Sequence, residues 1–372
     1  MAAAGLAKSA KDEGLLFVGT QGDAAGQGIF AGRLDEATGA VTLLGLTAEV
    51  ARPTWLLADP VRPVLHAVSE LGNAGDRDGE LFSFAVDPDR GALQQLTRLG
   101  AAGGGPTHLA LDPSDATMFV ANYGGGQAVS VSIRADGAME AVQSVQAGHG
   151  SGPHRRQQGP HAHGVTLDPS GRFLLVPDMG ADRIFVYRFD PATRALSPAD
   201  TASVELPSGS GPRLLLFGPS GTMAYLLTEL SAEIYVFTWD AEKGRLRQTA
   251  LASLDPADVE GQRSAAAFAL SSSGRTLYAS NRRTDMIHVF AVDLQDGRLT
   301  EAQRIAAGGA KPWACEFAPS GKWLLVTNQG SDTIAVFKVD MTSGRLIATD
   351  HRLSVPTPTS VAFAQPRWSQ PS

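Results

Sequence analysis

The chain has 372 residues, 43% hydrophobic and 19% charged, with a formal net charge of −7. No basic run interrupts that acidic balance, which argues against general nucleic-acid binding, and no apolar stretch approaches the roughly 18 residues that a membrane span needs. A single cysteine, Cys315, excludes an internal disulfide framework and fits a reducing compartment.

Glycine (41) and proline (22) are abundant, as in chains where tight turns join many short strands. The opening MAAAGLAKSAKDEG carries Lys and Asp/Glu early and has no apolar core. It is read as a tail over 1–13 with no signal peptide, and the cytoplasm is the default expectation.

Three strand-like runs follow: GLLFVGT (14–20), GIFAGRLD (28–35) and AVTLLGL (40–46). A repeated unit then begins. RPTW (52–55) leads into a strand that turns at LLADPVRP (56–63), and GPTH (105–108) leads to LALDPSDA (109–116). GPHAH (159–163) leads to TLDPSGR (166–172), and GPRL (211–214) to LFGPSGT (216–222). RSAA (263–266) leads to LSSSGRT (270–276), and KPWA (311–314) to FAPSGKW (317–323). A seventh copy, TPTSVAFAQ (357–365), has no second strand after it. Pro53, Pro106, Pro160, Pro212, Ser264, Pro312 and Pro358 mark the units at intervals of 46 to 54 residues.

Each unit reads as four strands. THLALD, MFVANY, AVSVSIR and MEAVQSV are short apolar or alternating runs bounded by Gly, Pro, Asp and Ser. Pro presets φ in the connecting turns and Gly tolerates positive φ. Four-stranded units at a period of about 40–50 residues predict an all-β, seven-bladed β-propeller of antiparallel blades. The N-terminal runs and the last C-terminal strand together supply the last blade. A single domain over 14–366 is expected, with a tail at 367–372. A pair of β-sandwiches would not need seven in-register copies with one split between the termini.

In an antiparallel hairpin the start of the first strand lies beside the end of the second. Counting from the turns places one set of polar residues at one rim: Glu70, Asn122, Tyr123, His161, His163, Asp178, Arg213, Glu229, Arg282, Arg283, Lys311 and Asn328. The Asp-Pro-Ser-Gly turns fall at the other rim. A concave mouth with convergent polar groups is the default site.

Several words in this order resemble the seven-bladed propeller lactonases: FVANYGGG (119–126), GPHAHG (159–164) with VPDMGADRI (176–184), GPR (211–213) with TEL (228–230), YASNRR (278–283) and VTNQGSDTI (326–334). The family includes a bacterial 6-phosphogluconolactonase and a fungal carboxy-muconate cyclase. The resemblance covers nearly the whole chain and implies a lactone hydrolase, with 6-phosphogluconolactone the leading substrate. It implies catalytic roles for His163, Arg213, Glu229 and Arg282. Leu214 stands where relatives often have His, and Arg283 where Gly is usual, so the resemblance leaves the substrate open.

Hydrolysis of a lactone needs a base for water and donors for the oxyanion. His163 and Glu229 both remain open as base; Arg213 and Arg282 suit an anion or oxyanion. His161, Asp178, Asn122, Tyr123, Arg283 and Glu70 are candidate substrate contacts. No cofactor and no metal are expected, because His161 and His163 lack a third ligand at the right spacing. Gly124–Gly126 lack the helix and Lys of a phosphate loop. The Gly-rich basic loop 148–159 is either a lid carrying His154, Arg155 and Arg156 or an insertion. The expected partner is an anionic sugar lactone, with no nucleic acid or membrane, and the chain is expected to be a monomer or weak oligomer. The competing classes are a muconate-type cyclase or other lactonase, and a propeller that only binds proteins or peptides.

Overall fold

The Asp-Pro-Ser-Gly turns fold each apolar run back onto the next. At 168–171 one Asp168 carboxylate oxygen accepts the N–H groups of Arg172 (2.9 Å) and Phe173 (2.8 Å), and the other accepts from Ser170 Oγ (2.6 Å). Gly171 takes a φ of +70° there, a conformation that costs glycine little and other residues much more. In the computed structural model, which describes residues 13–112, 114, 116–255, 261–365 and 368, 28 strands form seven four-stranded antiparallel sheets.

Six sheets are consecutive in the chain, within 56–100, 106–147, 166–205, 212–253, 265–306 and 312–354. The seventh joins the two ends. Pro358–Phe363 pairs antiparallel with Glu13–Thr20, setting Leu16 opposite Phe363 and Val18 opposite Val361. Ile29–Asp35 and Val41–Ala48 complete that blade outward. This seam closes the ring as the split repeat predicted, and closure leaves no blade missing a neighbour.

The core is a ring as well. Seven apolar clusters each fill one junction between adjacent blades. Leu15, Phe17 and Ile29 pack on Leu65 and Phe84 at one such junction, and Leu16 and Leu34 pack on Trp323 and Val336 at the next. Second strands such as Phe173–Asp178 and Met223–Thr228 are buried on both faces, because each blade is covered from both sides. Most of residues 1–13 and 367–372, read as tails, lies outside the described residues. Glu13 already belongs to a strand, and Trp368 packs in the seam cluster and donates from Nε1 to the Asp59 carbonyl (3.0 Å). Among the described residues no helix is long and apolar enough to cross a membrane.

The innermost strands leave an axial channel of about 340 Å³, walled by Leu57, Leu216, Phe268, Phe317 and Phe363 among others. It opens at one end into a wider cavity of about 640 Å³. The cavity lies at the rim where the second strands end.

Candidate active site

Two backbone positions, repeated around the ring, build this cavity. The second strands end at Thr20, Ser69, Asn122, Asp178, Thr228, Asn281 and Asn328, all polar and all buried. These residues tie down loops: Asn122 Nδ2 donates to the Ala101 carbonyl (2.8 Å), and Asn328 Nδ2 to that of Ala307 (3.0 Å). In six of the seven blades the next residue turns toward the axis, Met179 after Asp178 being the exception. Gln21, Glu70, Tyr123, Glu229, Arg282 and Gln329 line the cavity in this way. The second position is a bulge at the start of the inner strand. Pairing slips between Pro106 and His108, between Pro212 and Leu214, and between Pro312 and Ala314. A bulge re-aims one side chain, and the skipped residues Thr107, Arg213 and Trp313 all line the cavity.

Glu229 stands at the centre, 2% exposed. Its Oε2 accepts from Arg213 Nη1 at 2.5 Å and its Oε1 from Arg156 Nη1 at 2.6 Å, while Arg282 Nη2 forms an ion pair with Oε1 at 2.9 Å. Arg213 also donates from Nε to the Ala266 carbonyl (3.0 Å), and Arg282 from Nη2 to that of Ala265 (3.2 Å). Both guanidinium groups lie over the Trp313 ring, whose centre is 4.6 Å from the Arg282 guanidinium carbon and 5.7 Å from that of Arg213. Such contacts hold a cation without neutralising it.

His163 Nε2 meets Arg213 Nη1 and lies 3.7 Å from Glu229 Oε2. A guanidinium can only donate, so Nε2 presents a lone pair and Nδ1 carries the proton. Burial, then Arg213, holds the His163 imidazole well below its usual pKa of 6.5; it is neutral at pH 7. Burial alone would raise the Glu229 carboxyl, but Arg282, Arg213 and Arg156 together keep it well below the usual range. The expectation that burial could tune Glu229 into a base therefore fails. It is a carboxylate with both oxygens occupied by guanidinium groups, and it places them. Arg213 is pushed down to about 10 by burial, against the attraction of Glu229, and remains a cation at neutral pH. Three guanidinium groups around one carboxylate leave an excess of positive charge in a chain whose net charge is negative.

The structure thus brings His163, Arg213, Glu229 and Arg282 together, with Tyr123, Arg283, Glu70 and Lys311 on the same cavity wall. Tyr123 stands edge-on to His163, ring centres 5.5 Å apart. Arg283 lies 3.5 Å from Asp255 and Glu70 3.7 Å from Arg52. Three of the expected substrate contacts fall elsewhere. Asn122 and Asp178 are fully buried strand ends, each one residue short of the cavity position, and so is Asn328. Side chains alternate along a strand, so a shift of one residue turns a group to the other face. Asp178 Oδ1 accepts the N–H groups of His161 (2.8 Å), Gly180 (3.0 Å) and Ala181 (2.8 Å). Burial still pushes its carboxyl up to about 6. His161 backs Tyr123 instead of lining the cavity: the rings stack at 4.4 Å, and His161 Nδ1 meets the Tyr123 carbonyl at 2.8 Å. Among the described residues no three His, Cys, Asp or Glu side chains gather as a metal site.

The two residues in contact with the arginine cluster that escaped the rim count are Trp313 and Arg156. Nothing in the strand pattern around Trp313 marks it as a rim residue, and only the bulge reveals its direction. Arg156 comes from the 148–159 loop, outside the repeat. That loop is tied down at Gln157, which is fully buried and donates to the Met179 carbonyl and to Asp182 Oδ1, both at 2.8 Å.

The propeller mouth thus holds fixed guanidinium groups beside a neutral imidazole. The chain matches the seven-bladed β-propeller lactonases over residues 15–363 and belongs to that family. It is 27% identical over 303 residues to the 6-phosphogluconolactonase of Bacillus subtilis, covering 82% of this chain and 84% of that one. The structure of a periplasmic gluconolactonase from Pseudomonas aeruginosa superposes with a TM-score of 0.89 at 37% identity, covering 95% and 99% of the two chains. A Lactobacillus plantarum protein superposes with a TM-score of 0.86 at 32% identity, covering 94% and 99%.

Proposed function

We propose that this lactonase hydrolyses an anionic sugar δ-lactone, 6-phosphoglucono-1,5-lactone first, releasing 6-phosphogluconate in the pentose phosphate route. The observation that carries the reading is the buried Arg213 and the partly buried Arg282 beside neutral His163, all facing one cavity. Arg213 Nη1 turns from His163 Nε2 to the lactone carbonyl oxygen, and the freed Nε2 lone pair takes a proton from water as its oxygen attacks the carbonyl carbon. Negative charge then gathers on the carbonyl oxygen, where Arg213 and Arg282 donate. Collapse breaks the bond to the ring oxygen, which recovers the proton from His163, and the carboxylic acid formed gives its own proton to solvent and leaves as the carboxylate. Glu229 holds the arginines in place throughout. The chain works as a monomer or weak oligomer.

The second reading is an unphosphorylated gluconolactone, favoured by the 37% identity to the Pseudomonas enzyme. The substrate also bears on compartment. A phosphorylated lactone goes with the cytoplasm, where phosphoryl donors are made, and an unphosphorylated one with either side of the membrane. Initial rates on freshly prepared 6-phosphogluconolactone and gluconolactone decide between the two. Higher kcat/KM on the phosphorylated lactone supports the first reading; equal or reversed preference supports the second. No hydrolysis of either lactone rejects both.

A further inference from the structure

Glu229 is held by one arginine more than its two oxygens need. Oε2 is taken by Arg213, and Oε1 is shared by Arg282 and Arg156. If Arg156 leaves, each oxygen keeps a guanidinium partner. Arg213 and Arg282 have no such freedom. Both side chains are about nine-tenths buried or more, each is bonded to a backbone carbonyl, and each lies over Trp313.

Arg156 differs on every count. Its side chain is 34% exposed, and its remaining contacts are long or soft: Tyr123 Oη at 3.4 Å and Met179 Sδ at 3.1 Å. Its backbone, by contrast, is fixed. The N–H of Arg156 donates to His154 Nδ1 (3.2 Å), and the adjoining Gln157 is locked into the blade by Met179 and Asp182. The result is a partly exposed cation on a fixed mount, facing a cavity that already carries excess positive charge.

We propose that Arg156 is a specificity-determining residue. Its guanidinium turns from Glu229 Oε1 onto the anionic substituent of the lactone, the group remote from the carbonyl held by Arg213 and Arg282. This rests on the lactonase reading above and adds to it a residue for the phosphate. A planar guanidinium suits a phosphate bidentately, and the exchange leaves no oxygen of Glu229 without a partner. The same exchange removes one of the three cations that hold Glu229.

The test compares wild type with Arg156→Met and Arg156→Lys on 6-phosphogluconolactone and gluconolactone, with inorganic phosphate as a competitive inhibitor. Thermal melting checks that each variant is folded. The expected result is a fall of about tenfold or more in the preference for the phosphorylated lactone in Arg156→Met, seen mainly in KM, with a matching loss of phosphate inhibition. Arg156→Lys should recover part of both, because the charge returns without the fork. Parallel loss on the two lactones, or no change on either, overturns the assignment while leaving the lactonase reading in place. A wild-type enzyme that does not prefer the phosphorylated lactone also overturns it. Inactivity of the wild type on both lactones removes the reading beneath it as well.

Discussion

Replacing Glu229 by Gln tests the electrostatics of the site most directly. The substitution keeps shape and one acceptor but removes the only negative charge among Arg156, Arg213 and Arg282. If the amide oxygen takes the place of Oε1, it still accepts from Arg156 and lies beside Arg282 Nη2. The amide nitrogen then faces Arg213 Nη1 across the 2.5 Å now spanned by an ion pair, donor against donor. Rotating the amide trades one such clash for two. Removing one partner of a buried ion pair costs about 3–5 kcal/mol. Unfolding entropy of about 2.1 cal/mol/K per residue over 372 residues is about 0.8 kcal/mol/K, so Tm should fall by ~4–6 °C. Calorimetry at pH 7 measures this. The companion variant Glu229→Gln/Arg156→Met should recover part of the loss, because it removes a cation that no longer has a counter-ion. A Tm for Glu229→Gln within a degree of wild type, with no recovery in the double variant, refutes the idea that Glu229 is what holds the arginines.

Other outcomes follow from the same geometry. His163→Gln should lower kcat/KM by about 10²–10⁴-fold, the usual contribution of a positioned base. Because burial and Arg213 hold this imidazole below 6.5, wild-type kcat/KM should stay level as pH falls through 6.5 and decline only below it; a midpoint at or above 6.5 contradicts the assignment. Trp313→Leu removes the ring beneath Arg282 and Arg213 and should raise KM for an anionic lactone roughly 2- to 30-fold, from about 0.5–2 kcal/mol of cation–π contact. Asp178→Asn keeps the acceptor for three N–H groups and loses a charge that burial disfavours. The folded pKa of Asp178 is raised from 3.8 to about 6, so its ionisation weakens the fold as pH rises through that range. The variant should match wild type near pH 3.5 and melt higher at pH 8, by differential scanning at both; equal Tm at pH 8 counts against the burial argument.

What the sequence determined by itself was the ring. Turn chemistry at Asp168–Gly171, apolar runs of strand length and a period near 50 residues are local properties, and local rules are enough to repeat a blade seven times and split one across the termini. His163, Arg213, Glu229 and Arg282 were legible because each sits at a fixed offset from such a turn. The tertiary structure alone decided which face each rim residue presents. Asn122, Asp178 and Asn328 turn away while Tyr123 and Arg282 turn in, because pleat alternation makes a single residue decisive and sequence counting does not resolve one residue. It also decided what lies off the repeat. Bulges after Pro212 and Pro312 aim Arg213 and Trp313 at the axis, and Arg156 reaches Glu229 from a loop 73 positions away in the chain, a contact that exists only once the blades have closed around the channel.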